Sequence, residues 1–282
     1  VSVAVDGQAI EPGIFVAPPD HHLVVTPGQV RVTHRPKENG FRPAIDPLFR
    51  TAAAAYESRV IGIVLSGGLD DGTYGLQEVK AKGGLAIVQD PDDAEVTSMP
   101  RSAITHVDVD YVLPAAAISP LLARETQSPR QGAVVMGGSH DDPQLPGITT
   151  DITEMNSRLG PPSGLTCPDC GGALWQIEEG NLVRYQCHVG HRYSPESLVM
   201  HQDDRVEGAL WTAVRALEER AELRRRMARQ TEAAGLAAVS ATFAEQAQEA
   251  EEQANEIRGV LTASEGHEPV ALPARRKRSR QR

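Results

Sequence analysis

Residues 60–65 read VIGIVL, an almost unbroken apolar run. A strand with no polar alternation is one that is covered on both faces, as in a parallel sheet. Glycines follow the run, then a helical stretch over 74–82, then a second apolar run over 85–88. Strand, helix and strand within about 30 residues predict a right-handed βαβ unit, so the front of this chain is of the α/β class. The neighbouring segments fit that reading. Residues 13–17 (GIFVA) form a strand candidate stopped by Pro18, Pro19 and Asp20, and 22–25 with 29–33 predict a hairpin around Pro27 and Gly28. Ile45–Tyr56 carries apolar residues at helical spacing, with Pro47 near its start, where the missing N–H costs least.

The remainder is of different character. Residues 126–165 are rich in Pro, Gly, Ser, Asp and Thr, with only 133–136 apolar and a short helix candidate at 151–158, and read as a linker. Residues 166–195 hold a compact Cys/His module, and 196–264 read as amphipathic helix with apolar positions at Leu210, Val214, Leu217 and Ala221. A break is expected near Gly235. Residues 265–282 form a basic tail, with six Lys or Arg among the last eight residues and no apolar content there, and are expected to be disordered. The chain is acidic throughout until that tail and carries a formal charge of −10 overall, which argues against a nucleic-acid binder. No apolar run reaches the roughly 18–20 residues that span a bilayer, and no signal peptide opens the chain. Three cysteines cannot close a disulfide framework, so a reducing, cytoplasmic setting is expected, where a Cys cluster more often holds metal.

All three cysteines lie within 21 residues, as Cys167-Pro-Asp-Cys170-Gly-Gly and then Cys187-His-Val-Gly-His191. A C-x2-C turn brings two thiolates to one ion, and Zn²⁺ prefers four such N/S ligands in a tetrahedron. The intervening residues predict two short strands, 173–177 and 182–186, joined by a turn at 179–181, which folds the two ligand pairs together. The expected set is Cys167, Cys170, Cys187 and His191, with His188 the other candidate for the fourth place. Four protein ligands leave no open position, so the site is read as a structural zinc ribbon.

The most chemical stretch is 65–73, LSGGLDDGT, at the carboxyl end of the first buried run, where open α/β sheets gather catalytic groups. Its paired glycines, Gly67 and Gly68, permit close backbone approach, and amides in such turns can stabilise an oxyanion. Asp70 or Asp71 could orient a histidine in a Ser-His-Asp triad. Composition alone reads Asp-Asp-Gly ahead of a helix as an N-cap and turn.

Six blocks in one order sharpen this: 13–23 (GIFVAPPDHHL), 42–49 (RPAIDPLF), 61–75 (IGIVLSGGLDDGTYG), 83–90 (GGLAIVQD), 98–103 (SMPRSA) and 110–114 (DYVLP). Together they resemble the catalytic domain of the bacterial chemotaxis protein-glutamate methylesterase family over about residues 5–125. The resemblance implies a parallel-sheet domain that hydrolyses glutamyl methyl esters on chemoreceptors through a Ser-His-Asp triad, without a catalytic cofactor and with glutamine deamidation as a related activity. A family motif like LTGMGDDGAxG falls on 65–75 and places the triad acid at Asp71, with loop amides at Gly67 and Gly68. Departures are Ser66 for threonine, Gly68 for methionine and Leu69 for glycine.

The family's serine and histidine precede the block matching residues 5–17, so 1–125 is expected to be an N-terminally incomplete catalytic domain, inactive alone. His21 and His22 are read as packing or capping a turn, and Ser139-His140 implies no triad geometry. The ribbon and the helix over 207–229 resemble the C-terminal extension of some stand-alone family members, suited to partner docking or self-association. The competing expectation is a non-catalytic adaptor built on a degenerate methylesterase fold.

Overall fold

The computed structural model describes residues 1–127, 156–157, 159–180 and 182–264. In chain order the first elements are β1 (Ser2–Val3), β2 (Gln8–Ala9), β3 (Phe15–Val16), β4 (His22–Thr26), β5 (Gln29–Thr33) and α1 (Ile45–Tyr56). There follow β6 (Ile61–Val64), α2 (Thr73–Ala81), β7 (Leu85–Gln89), α3 (Ser98–His106), β8 (Tyr111–Leu113) and α4 (Ala115–Gln127). The Cys/His module supplies β9 (Leu174–Glu179), β10 (Leu182–Cys187) and β11 (Arg192–Tyr193), and two long helices close the described chain, α5 (Pro195–Ala233) and α6 (Ala237–Ser264). These elements form two compact units, Val1–Val199 and Met200–Arg282.

The expected α/β class is what the first unit shows. β6, β7 and β8 are parallel neighbours in that order, with Ile61 opposite Leu85 and Ile87 opposite Tyr111. Every residue of β7 is buried because helices cover both of its faces. Ala86 and Val88 pack with Leu76, Met99 and Ala103 on one side, whereas Leu85 and Ile87 pack with Ile118 and Leu121 on the other. This two-sided cover is why the runs carry no polar alternation. Gly62 lies so close under α2 that a Cβ there would stand 2.6 Å from Leu76 Cδ1.

The hairpin β4–β5 turns at Gly28, whose φ of +80° suits glycine, and β2 joins it to make a three-stranded antiparallel sheet. The strand expected over 13–17 shortens to Phe15–Val16, which pairs in parallel with β1. In the module, β9 and β10 pair antiparallel with Leu182 opposite Glu179, and β11 adds to the far edge of β10.

In the second unit α5 and α6 form an antiparallel hairpin broken at Gly235, as expected, with Val214, Ala254 and Leu261 buried between them. Arg220 donates to Gln253 across that seam, and Arg225 and Arg258 pair with Glu251 and Glu218. The expectations for 128–155, including Ser139-His140, and for the basic tail 265–282 lie outside the described residues.

Candidate active site and candidate metal centre

The loop after β6 is tied down at Ser66 and Gly67. Ser66 N donates to Gln89 Oε1 at 2.8 Å, and Val96 N donates to Ser66 Oγ at 2.9 Å. Gly67 N donates to Val96 O at 3.0 Å, and its carbonyl accepts from Met99 N at 3.0 Å. A Cβ on Gly67 would fall 2.3 Å from Met99 Sδ, so any larger residue there would displace the Met99 side chain of α3. Its amide is thereby spent on the loop, while Gly68 faces open space. Leu69 holds φ +60°, keeping the left-handed backbone that a glycine would adopt without strain.

Asp71 is buried at the amino end of α1. Its Oδ2 accepts from Ile45 N at 2.7 Å, and its Oδ1 accepts from Asp46 N at 3.3 Å and from Asn39 Nδ2 at 3.1 Å. Unpaired amides at a helix start favour a negative group there. Burial nevertheless pushes its carboxyl up to about 7, with the charge of Asp46 adding to the effect. Asp46 is itself buried, accepting from Gly75 N at 2.7 Å and Asn39 Nδ2 at 3.0 Å, with Arg184 Nη2 3.5 Å away. Asp70 turns the other way and accepts from Ser194 Oγ at 2.9 Å; burial is the largest cause raising its carboxyl to about 7.

The segment carrying Asn39 is held by His22. Ala44 N donates to His22 Nδ1 at 3.2 Å, which leaves Nε2 to carry the proton donated to Pro36 O at 3.0 Å. His22 is thus a neutral packing residue, its protonation disfavoured chiefly by burial. His21 Nδ1 lies 3.0 Å from Pro19 O, at the turn it was expected to pack.

Sequence reading passed over a buried ionic cluster beside this site. Glu38 pairs with Arg50 through two bonds, with Arg184 at 3.3 Å, and lies 4.0 Å from Arg192. Arg184 also stacks 4.3 Å from the Tyr74 ring centroid. Arg184 and Tyr74, with Asp46, Asp70, Ser102, His106 and Ser194, line a cavity of about 220 Å³ between the α/β core and the module. Only the Arg42–Phe49 block hinted at Asp46; nothing local in the sequence marks the pairing of Glu38 with arginines far along the chain.

The four expected metal ligands converge. Cys167 Sγ and Cys187 Sγ lie 3.7 and 3.5 Å from His191 Nδ1, Cys170 Sγ lies 3.7 Å from Cys187 Sγ, and all four donor atoms fall within 4.8 Å of one another. A zinc tetrahedron with S at about 2.3 Å and N at about 2.0–2.1 Å has edges of roughly 3.8 Å between sulfurs and 3.6 Å from sulfur to nitrogen. The donor set therefore fits the ion. His188 packs against Gly172 instead, where a Cβ would meet its Cε1 at 2.9 Å. Cys167 is drawn toward the thiolate, to about 3, first by the hydrogen bond from Cys187 and also by His191.

Comparison with known proteins agrees with the sequence blocks. The CheB methylesterase family profile matches residues 1–122. A provisionally named protein-glutamate methylesterase/protein-glutamine glutaminase of Leptospira interrogans is 42% identical over 130 residues, 45% of this chain and 67% of that protein. The Pyrococcus abyssi protein-glutamate methylesterase/protein-glutamine glutaminase is 36% identical over 47% of this chain and 37% of its own length, so the chain spans little more than a third of that relative. The crystal structure of the Thermotoga maritima CheB methylesterase catalytic domain shares 38% identity, covering 44% of this chain and 69% of that one at a TM-score of 0.42. The matched residues are those that build the parallel sheet and the Asp71 loop, and the chain belongs to the CheB methylesterase family of ester hydrolases.

Proposed function

We propose that the protein hydrolyses glutamyl methyl esters on methylated chemoreceptors, with Asp71 as the acid of a Ser-His-Asp triad whose serine and histidine are carried upstream of residue 1. The carrying observation is the state of the Asp71 carboxylate. An ionised carboxylate accepts at about four lone-pair positions. Among the described residues three are filled, by Ile45 N, Asp46 N and Asn39 Nδ2, which leaves one on Oδ2 for an imidazole N–H. An imidazolium there would lower the Asp71 carboxyl from its raised value and hold it ionised.

In this reading the histidine takes the serine proton as the serine oxygen adds to the ester carbonyl, and then gives it to departing methanol. Water resolves the acyl-enzyme to a free glutamate. A glutamine side chain would follow the same course with ammonia leaving, which is the second activity in the relatives' names. The Gly68 amide is the loop donor suited to the developing oxyanion.

We also read the Cys167, Cys170, Cys187 and His191 cluster as a structural Zn²⁺ site, supported by the donor spacing. When bound, the ion would supply folding free energy to a module whose buried apolar core is small.

The test is methanol release from methylated receptor by the product of the complete open reading frame. Asp71→Asn is expected to lower kcat on the order of 10⁴-fold, and the 282-residue chain alone to show no turnover. Undiminished turnover by the Asp71→Asn protein would overturn the assignment.

A further inference from the structure

The ribbon does not merely follow the α/β core; its end is hydrogen-bonded into the loop that holds the catalytic carboxylate. Arg192 N donates to Lys37 O at 3.2 Å and Asn39 N donates to Arg192 O at 2.7 Å, so residues 37–39 pair with β11 through a parallel bridge between Glu38 and Arg192. Arg192 directly follows the ligand His191.

Asn39 sits at the centre of this junction, buried, with φ +54°. Its side-chain amide faces two ways. Oδ1 accepts from Ser194 N at 3.2 Å, directly after β11, and from Ser197 Oγ at 3.4 Å, in the first turn of α5. Nδ2 donates to Asp46 Oδ2 at 3.0 Å and Asp71 Oδ1 at 3.1 Å. The orientation is set by its partners, because the reverse would aim an oxygen at two carboxylates.

A planar amide cannot move its oxygen without moving its nitrogen. Withdrawing the ribbon end would leave a buried carbonyl without its donors, an unfavourable state that drives the amide to rearrange. Rearrangement removes one of three donors from Asp71.

We propose that Asn39 is a positioning residue that transmits the docked, metal-held state of the ribbon to the orientation of Asp71. The metal then influences hydrolysis without touching the substrate. The proposal rests on Asp71 being the triad acid only for its catalytic consequence; the coupling itself is a property of this chain.

The test follows the side-chain carboxyl ¹³C resonance of Asp71 and hydrogen exchange at the Ile45 and Asp46 amides, in the 282-residue chain with Zn²⁺ bound and after chelation. Asn39→Gly keeps the left-handed backbone without strain and removes only the amide. In the native chain, chelation is expected to shift the Asp71 resonance and speed exchange at both amides. Zn²⁺-loaded Asn39→Gly is expected to bind one ion per chain and already show the shifted resonance, and chelation should move it no further. Ser197→Ala, which removes one Oδ1 donor, should shift it part of the way.

An Asp71 resonance unmoved by chelation, or moved equally in native and Asn39→Gly chains, would overturn the coupling. In the complete protein, Asn39→Gly is expected to lower kcat tenfold to hundredfold, on the order known for a slightly misplaced catalytic group, with KM unchanged. A KM effect alone would refute the positioning role. Absence of any hydrolysis by the complete native protein would count against the methylesterase reading and leave the resonance result to decide the coupling.

Discussion

Glu38 and Arg50 form a two-bond ion pair in the interior, with Nη2 to Oε1 at 2.9 Å and Nη1 to Oε2 at 3.2 Å and both side chains less than 5% exposed. Burial alone would raise the Glu38 carboxyl, yet Arg50, Arg192 and Arg184 together hold it well below the usual range. One carboxylate therefore neutralises guanidiniums from both the α/β core and the ribbon.

Removing that charge leaves buried arginines facing one another. Glu38→Gln is expected to destabilise the first unit by about 3–5 kcal/mol, measured by urea unfolding at pH 7. Because the Glu38 carboxyl is lowered by folding, its contribution is present above about pH 4.5 and is lost as pH falls through the folded-state value. The deficit of the variant should accordingly narrow in acid.

Asp70 has the opposite sign. Its carboxyl is raised to about 7 by burial, against the hydrogen bond from Ser194 and with Glu196 and Asp46 adding to the rise. A group raised by folding stabilises fully below its unfolded value near 4, and the contribution is lost as pH rises through about 7. Asp70→Asn keeps an oxygen for Ser194 Oγ and removes the charge. It is expected to be more stable than the native chain by on the order of 2 kcal/mol at pH 8 and by much less at pH 4.5. Denaturant titrations at both pH values give the difference, and an equal gain at both would show that charge is not the cause.

Leu69 occupies a left-handed backbone conformation, at φ +60°, in the loop between β6 and α2. That geometry costs a residue with a Cβ about 1–2 kcal/mol. Leu69→Gly should raise stability by about 1 kcal/mol after the entropy of the more flexible unfolded chain is set against the relief. Thermal unfolding of the two proteins checks it.

Trp175 is buried in β9, its Nε1 donating to Asn156 Oδ1 and Gly160 O at 3.1 Å each, whereas Trp211 is exposed. With Trp211→Phe as background, emission reports on the ribbon alone. Chelation of Zn²⁺ is expected to shift the Trp175 emission to the red and to lower the unfolding midpoint, since metal binding and folding are linked. Cys187→Ser should reproduce both effects and reduce the metal content below one ion per chain. Emission unchanged by chelation would speak against a structural ion.

What could be read from residues alone was local. The run over 60–65, the helix after it and the run over 85–88 declare a parallel sheet because two-sided burial leaves no polar alternation, and the spacing of three cysteines and His191 declares a four-ligand cluster because a knuckle reaches only a few residues. Asp71 was legible through the order of its neighbouring blocks. Asn39, Glu38, Asp46 and Arg184 were not, although they surround it.

Glu38 meets Arg184 across 146 positions and Asn39 meets Ser197 across 158. No periodicity connects such pairs, and each residue taken singly looks like an ordinary polar side chain. Sequence by itself thus determined the sheet, the loop that carries Asp71 and the Cys/His spacing, whose physics lies in short stretches of backbone. Tertiary structure alone decided that the ribbon end docks against the loop 36–44 and that one amide joins it to Asp71, because buried charges and hydrogen-bonding groups must find partners wherever the fold brings them.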